Sequence, residues 1–389
     1  MKSKDIRKLA IQRYLGGEKP VSIYTSLGFT KQWFFKWLRR YQSNDQFWFK
    51  EKSRKPHHHH NQTPHHLERI VIEIRNKLSH TKYSQIGAIA IQWEMQKIGV
   101  PPLPVWTINR ILKRNNLIRK REKYTPSGKL YPDIGLDSPG SVLQMDVIGP
   151  RYIKGDGRFY SHNVIDVVSH KISLYPHRHK NTTAAAEALV KAWKTIGVTD
   201  FVQLDNALYY RGSNRWPRSF GLVIRLCLSL NVQPVFIPLA EPWRQGIIEK
   251  FNDNYNTMFF RSQEFSDFET LRKESITFEQ FHNDNHRYSC LKSKTPNQCV
   301  ADAQFKPALL DSDFHIPERQ IDLEEGYIHL IRFIRSNRIL DVFGERFALR
   351  EAPPYEYVIA TICIDIHTIK IYIDNQVVEE IYYPIPVDW

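Results

Sequence analysis

The stretch PWRQGIIEKFN, residues 242–252, decides how the rest of the chain is interpreted. A proline opens a predicted helix, on which Gln245, Glu249 and Asn252 follow at helical spacing and therefore share one face. Glu249 stands among apolar neighbours, where a carboxylate is costly unless it is solvated, paired or bound to a metal. A lone helical glutamate is more often a polar position on an amphipathic helix. The other acids of the chain must decide between these interpretations.

Two aspartates are candidate partners of this glutamate. Asp146 in QMDVIG and Asp205 in QLDN each close an apolar run that is typical of a strand. From residue 142 onward the pattern predicts three antiparallel strands, a helix, a strand, a helix, a strand and then the helix that carries Glu249. This order is that of a ribonuclease-H-like α/β core. The order of strand aspartate, strand aspartate and helix glutamate favours a shared site.

The charge of the chain is divided unevenly along its 389 residues, a length that suits two to four domains. The net charge is +14, and residues 1–130 hold 27 Lys and Arg against 8 Asp and Glu. Positive charge segregated in this way indicates a polyanionic partner for the N-terminal third.

The four cysteines are scattered without metal-ligand spacing, and no run of about 18 apolar residues occurs. We therefore expect a cytoplasmic protein that does not contact a membrane.

The first helical unit is predicted over residues 1–49. Two short helices, a turn at Gly28 and a basic helix over residues 31–41, capped by Thr30, match a helix-turn-helix DNA-binding domain. Residues 50–66 form a basic, histidine-rich linker. Its histidine run at residues 57–60 has no cysteine nearby, so contact with the DNA backbone is a better interpretation than a structural metal.

A second helix-turn-helix domain is predicted over residues 67–130. Ser84 is the expected cap of its middle helix, and residues 105–115 form its basic helix, with Trp106 directed inward. The outward polar side chains of both basic helices are the candidate DNA contacts. These are Lys31, Gln32, Lys36, Arg39, Arg40, Asn109, Arg110, Lys113 and Arg114.

The segments QMDVIG, QLDN and PWRQGIIEKFN together resemble the catalytic core of the DDE transposase and retroviral integrase superfamily, and among its members bacterial insertion-sequence transposases in particular. The resemblance covers Ser141 to Gln304, and the ribonuclease-H-like catalytic core is predicted over residues 138–304. It implies that Asp146, Asp205 and Glu249 are catalytic acids that bind two Mg²⁺ ions, with Mn²⁺ as a possible substitute. Ala207 departs from the family, which usually has glycine after the Asp-Asn pair.

Glu241 competes with Glu249 for the third position. It lies at the residue spacing from Asp205 by which the family is often described, and Glu249 lies eight residues later. We favour Glu249 because residues 242–252 supply the proline, glycine, two apolar residues, glutamate and asparagine of the family's pattern. An inserted loop over residues 209–217 accounts for the extra length. Glu241 directly precedes Pro242, which disfavours helical geometry at Glu241.

The resemblance also implies a function. A protein of this kind binds the double-stranded DNA ends of its element, cleaves them and joins them to target DNA, as a homo-oligomer at the nucleoid in the bacterial cytoplasm. Gln245 and Lys250 are expected to position the DNA end. Two alternatives stay open: a ribonuclease-H-like nuclease without strand transfer, and a non-catalytic helix-turn-helix regulator. The presence of all three acids argues against the regulator.

Short predicted strands and turn signals fill residues 320–389. Their number and spacing predict a small all-β barrel of the SH3-like type. In integrases such barrels contact DNA or neighbouring subunits, and the balanced charge of this segment favours subunits at least as much as DNA. The predicted fold class is therefore multidomain: a tandem helix-turn-helix region, an α/β ribonuclease-H-like core and a C-terminal barrel.

Overall fold

The structure is a computed structural model that describes residues 3–43, 45–51, 63–118, 131–132, 139–304, 306–318 and 321–386. The histidine run of residues 57–60 lies outside these ranges, as do most of the predicted linker and the end of the second predicted helix-turn-helix domain. The chain divides into two compact units, Met1–Pro64 and His65–Trp389.

The described part of the first unit contains the helices α1 (Ser3–Leu15), α2 (Pro20–Ser26) and α3 (Lys31–Gln42). The side chain of Thr30 caps α3 by accepting a hydrogen bond from the Trp33 amide, as predicted. The helices enclose a small apolar core: Ala10, Ile11, Ile23, Phe34 and Leu38. The predicted order of helices is confirmed, and the DNA-binding role of the unit remains a prediction.

The second unit begins with three helices: α4 (His65–His80), α5 (Ala88–Lys97) and α6 (Val105–Arg114). Two predictions about this part are wrong. Ser84 does not cap α5, because the helix begins at Ala88 after Gly87 and residues 81–87 form a loop. Trp106 is 61% exposed, because the buried face of α6 is filled by Ile108 and its neighbours.

The α/β core starts with an antiparallel meander of β1 (Val142–Ile153), β2 (Gly157–Asp166) and β3 (Ile172–His177). After α7 (Thr182–Thr195), β4 (Phe201–Leu204) pairs in parallel with β1. Helices α8 (Leu208–Arg211) and α9 (Leu222–Ser229) lead to β5 (Gln233–Phe236), which pairs in parallel with β4. This order fits a ribonuclease-H-like core, so the α/β part of the predicted fold class is confirmed.

The segment that opened the sequence analysis contains two helical types, a 3₁₀ turn over Pro242–Gln245 and most of α10 (Gly246–Asn254). A π-helical turn over Tyr255–Phe260 follows α10. Helices α11 (Phe268–Asn285) and α12 (Pro296–Ala301) complete this part. Among the described residues, no helix is both long enough and apolar enough to cross a bilayer.

The C-terminal strands are β6 (Tyr327–Phe333), β7 (Ile339–Val342), β8 (Glu345–Ala348), β9 (Tyr357–Cys363), β10 (Thr368–Ile373) and β11 (Gln376–Tyr382). In the described residues, β6 pairs in parallel with β5 and continues the central sheet, whose order is β11-β10-β9-β6-β5-β4-β1-β2-β3. Only β7 and β8 pair separately, as a hairpin. A separate barrel is therefore not confirmed. Instead, β6 pairs with the backbone groups that β5 would otherwise present as a sheet edge.

The loop before α5 packs against the α/β core. Tyr83 places its ring 5.1 Å from that of Phe278, and its hydroxyl donates a 2.7 Å hydrogen bond to Glu274 on α11. The backbone carbonyl of Tyr83 lies 2.8 Å from Nε2 of His286, and Lys82 forms a 2.6 Å ion pair with Glu274. The three helices α4 to α6 are thus held on the core by contacts around Tyr83.

Candidate active site

The three acids predicted from the sequence lie on adjacent elements. Asp146 stands in the middle of β1, Asp205 directly follows β4, and Glu249 lies in the first turn of α10. The parallel register that pairs Gln144 with Gln203 brings Asp146 and Asp205 to the same level of the sheet. Helix α10 packs against β1 and β2, which places Glu249 on the same side.

Three buried glutamines connect these elements. Nε2 of Gln144 donates to Oε1 of Gln203 at 2.7 Å, and Oε1 of Gln144 accepts a 3.0 Å hydrogen bond from the Ile248 amide. Nε2 of Gln245 donates to the backbone carbonyl of Gln203 at 2.9 Å. Because these buried hydrogen bonds join β1, β4 and the start of α10, they fix the start of α10 relative to the two strands.

The role of Gln245 in positioning a DNA end stays a prediction. Its side chain is only 4% exposed and bonds to the protein backbone. Sequence reasoning missed Gln144 and Gln203, although a signal was present. Each strand carries a glutamine two residues before its aspartate, and alternate residues of a strand share a face.

A second chain of side chains orients Asp146. Nδ2 of Asn252 donates to Oδ2 of Asp146 at 2.7 Å, and Oδ1 of Asn252 accepts from Nδ2 of Asn163 at 2.9 Å. The Ser161 hydroxyl in turn donates to Oδ1 of Asn163 at 2.7 Å. The other oxygen of Asp146 accepts from the Val147 amide at 2.7 Å. Both oxygens of Asp146 therefore have fixed directions.

The acids are coupled electrostatically through Asp146. Burial raises the pKa of Asp205, the Ala207 amide opposes this by donating a 2.9 Å hydrogen bond to Oδ1, and the charge of Asp146 adds to the rise. Burial also raises the pKa of Glu249, and the charges of Asp146 and Asp253 add to that rise. Within the described ranges, none of the three carboxylates forms an ion pair with Lys or Arg. The excess negative charge of this cluster would be relieved by a bound cation.

The fit of a metal ion depends on the positions of these acids as well as on their chemistry. Carboxylate oxygens are the ligands that Mg²⁺ prefers. In the described residues, no three His, Cys, Asp or Glu side chains converge to hold one ion. The charge of Asp146 acts on both Asp205 and Glu249. The donor chemistry of the three acids therefore suits Mg²⁺.

The competing acid, Glu241, is bound to other side chains. Its Oε2 accepts a 2.8 Å hydrogen bond from Nε of Arg244, and its Oε1 accepts one of 2.9 Å from the Tyr357 hydroxyl. Arg244 also donates to the Tyr357 hydroxyl at 2.7 Å. These contacts tie the turn before α10 to β9, which gives Glu241 a structural role.

One cation near the acids was not predicted. Lys180, an exposed residue just before α7, places Nζ 5.0 Å from the ring centroid of Tyr209. Its charge also acts to lower the pKa of Asp205. It stands between two predicted elements without motif context, so the sequence held no signal for it.

The candidate DNA contacts stay on the surface. Lys31, Gln32, Lys36 and Arg39 on α3 are exposed, whereas Arg40 is partly buried and donates to the Lys50 carbonyl at 3.1 Å. On α6, the candidate contacts Asn109, Arg110, Lys113 and Arg114 are all exposed.

Three of the exposed cations are already paired with acids. Arg114 forms a 2.6 Å ion pair with Glu68, Lys36 pairs with Glu51 at 4.0 Å, and Lys250, beside Glu249, pairs with Asp253 at 3.5 Å. Exposed pairs of this kind contribute little to stability and can exchange for other anions. All three side chains therefore remain candidate phosphate contacts.

No protein-family model matches the chain. Among solved structures, it is similar to the catalytic core domain of HTLV-2 integrase in complex with magnesium, in the dimeric form, with 16% identity and a TM-score of 0.32. That match covers 42% of this chain and 97% of the other. The chain is also similar to the simian T-cell lymphotropic virus intasome in complex with PP2A regulatory subunit B56 gamma, with 14% identity, a TM-score of 0.37, and coverage of 81% and 97%. Values this low do not identify an activity.

Proposed function

We propose that this chain is a metal-dependent DNA transposase or integrase, a polynucleotidyl transferase that cleaves the ends of a DNA element and joins them to target DNA. The catalytic residues are Asp146, Asp205 and Glu249. The observation that carries the proposal is the placement of the three acids: Asp146 in the middle of β1, Asp205 directly after β4, and Glu249 in the first turn of α10, which packs against β1. Burial raises the pKa of Asp205 and of Glu249, and the charge of Asp146 adds to both rises. Buried carboxylates without a basic partner are costly for stability alone and suit cation binding.

Two Mg²⁺ ions are the proposed cofactors, and Mn²⁺ can replace them. Asp146 with Asp205 would hold one ion, and Asp146 with Glu249 the other. When bound, such ions supply activation of the attacking oxygen and stabilisation of the leaving oxygen of a phosphodiester. The surrounding residues keep the ligands in place: Asn252 and the Val147 amide orient Asp146, and the Ala207 amide orients Asp205.

The proposed substrate is double-stranded DNA. The exposed basic faces of α3 and α6 supply phosphate and base contacts to the element ends, and Lys250 contacts the DNA near the cleaved bond. Because two DNA ends must be cut and joined together, the proposed active form is a homo-oligomer. The proposed setting is an insertion-sequence element, with the protein at the bacterial nucleoid.

The test is a cleavage and joining assay with oligonucleotides that carry the terminal sequences of the DNA surrounding the gene. Wild-type protein with Mg²⁺ is expected to produce both cleaved and joined products, and Asp146→Asn is expected to abolish both while leaving DNA affinity unchanged. Cleavage without joining would indicate a nuclease instead. An Asp146→Asn variant with wild-type rates would disprove the assignment of the site.

A further inference from the structure

Arg332, near the end of β6, has a buried guanidinium group that forms no ion pair with a carboxylate in the described residues. The residue is 4% exposed. Its Nε donates to the Asp341 carbonyl at 2.9 Å, and its Nη1 donates to the carbonyls of Ile237 and Ile331 at 3.0 and 2.9 Å. A buried cation without a counter-ion costs stability. These hydrogen bonds to carbonyl oxygens offset only part of the free-energy cost of burying the guanidinium charge.

The remaining hydrogen bond of Arg332 leads to the candidate active site. Nη2 donates to Oδ1 of Asn206 at 2.7 Å, and Asn206 directly follows Asp205. Nδ2 of Asn206 donates to the Ile237 carbonyl at 2.7 Å, a group that Arg332 also contacts. Both ends of the Asn206 amide are therefore fixed by the same small cluster.

The backbone of Asn206 is fixed as well. Its carbonyl accepts a 3.0 Å hydrogen bond from Nε of Arg211, whose Nη1 donates to the Phe343 carbonyl at 2.8 Å, in the turn between β7 and β8. The next amide, that of Ala207, donates to Oδ1 of Asp205. A rotation of Asn206 would move this amide and with it the direction of the Asp205 carboxylate.

We propose that Arg332 is a positioning residue of the active site, which holds Asn206 and thereby aims the carboxylate of Asp205. The C-terminal strands thus support the catalytic loop directly instead of forming only a separate contact domain. The catalytic role of Asp205 in this inference rests on the proposed function. The hydrogen bonds that join Arg332, Asn206 and the Asp205 loop do not depend on that function.

The test compares Arg332→Met and Asn206→Ala with Arg225→Met as a matched control. Arg225 is a partly buried arginine that likewise donates to carbonyls, those of Phe220 and Ile321 at 2.8 and 2.6 Å, and these hydrogen bonds do not involve Asn206. Three quantities are measured on the full chain. They are hydrogen exchange of the Ala207 amide without DNA, Mn²⁺ binding by electron paramagnetic resonance, and the rate constant of DNA cleavage at saturating DNA.

Both test variants are expected to exchange the Ala207 amide faster than wild type. They should bind Mn²⁺ and cleave DNA about 10- to 100-fold less well, because supporting partners of metal ligands have effects of that size. DNA affinity should not change. The double variant should be no slower than the worse single variant, since both changes break one interaction. Arg225→Met should match wild type in all three measurements.

Wild-type exchange at Ala207 and wild-type Mn²⁺ binding in Arg332→Met would overturn the inference. If that variant does not fold, Asn206→Ala decides in the same way, because it leaves the other three acceptors of Arg332 in place. If wild-type protein cleaves no DNA, the proposed function fails. The exchange measurement still decides whether Arg332 controls the Asp205 loop.

Discussion

Asn252 on α10 donates a 2.7 Å hydrogen bond from its side-chain amide to Oδ2 of Asp146 on β1. The amide cannot rotate freely, because its oxygen accepts a hydrogen bond from Asn163 on β2. The helix that carries Glu249 and the strand that carries Asp146 are thus linked through the side chain of Asp146, the proposed metal ligand. Asn252, three residues after Glu249 on α10, therefore sets the orientation of the Asp146 carboxylate.

Replacement of this link should reduce catalysis more than binding. Asn252→Leu keeps a similar volume and removes both hydrogen bonds, so we expect cleavage to slow by about 10- to 100-fold with unchanged DNA affinity. Single-turnover cleavage and fluorescence anisotropy measure the two quantities. Asn254→Leu, on the same helix, is the control and should cleave at the wild-type rate. A wild-type rate in Asn252→Leu would show that the link does not matter.

Gln245 and Lys250 should respond oppositely to alanine substitution. Gln245→Ala leaves the buried Gln203 carbonyl without its donor, so the free energy of unfolding should fall by about 1–3 kcal/mol while the folded protein keeps its DNA affinity. Lys250→Ala should weaken DNA binding and change stability little. Urea denaturation and anisotropy distinguish the cases. A Gln245→Ala variant that loses DNA affinity while keeping wild-type stability would support the prediction that Gln245 positions the DNA end.

The contact around Tyr83 should contribute to stability mainly through the ring. Tyr83→Phe removes the hydrogen bond to Glu274 and is expected to cost about 1 kcal/mol of unfolding free energy. Tyr83→Ala should cost about 3–5 kcal/mol, because it leaves a cavity among aromatic side chains. Equal losses in the two variants would contradict the packing of the ring.

From the burial of His329 we predict that the free energy of unfolding depends on pH. Its Nε2 lies 2.7 Å from Oε1 of Gln233 and its Nδ1 lies 2.9 Å from the Thr361 hydroxyl. Burial lowers the pKa of His329 to about 4, from 6.5. The unfolded chain therefore binds one more proton between these values, so stability is complete above pH 6.5 and is lost as the pH falls toward 4. The slope from this group is at most about 1.4 kcal/mol per pH unit.

Chemical denaturation of His329→Gln at pH 7 and pH 5 checks this prediction. The variant should lose less stability than wild type between the two pH values. An equal loss in both proteins would exclude His329 as the source of the pH dependence.

The local pattern of the sequence predicted much of the core. The strands around Asp146 and Asp205 and the helix start at Pro242 follow from apolar runs and a proline, which are signals within a few residues. The cap at Thr30 follows from an equally local rule. Each of these features depends on neighbours in the chain.

The features that were missed depend on distant parts of the chain. The pairing of β6 with β5 joins His329 to Val235 across a long stretch of sequence, and strand patterns do not specify such a partner. The burial of Gln245 depends on Gln203 of β4, and the contacts of Arg332 depend on Asn206. A polar residue beside a catalytic motif therefore does not reveal by itself whether it faces DNA or the protein interior.

The comparison of Glu249→Gln with Glu241→Gln in Mg²⁺-dependent strand transfer tests the central claim most directly. The two residues lie eight positions apart, and each is replaced by the same neutral isostere. We predict that Glu249→Gln abolishes joining of the terminal oligonucleotides, whereas Glu241→Gln keeps joining activity and loses stability through its contacts with Arg244 and Tyr357. Loss of joining in Glu241→Gln together with full activity in Glu249→Gln would contradict the proposed site.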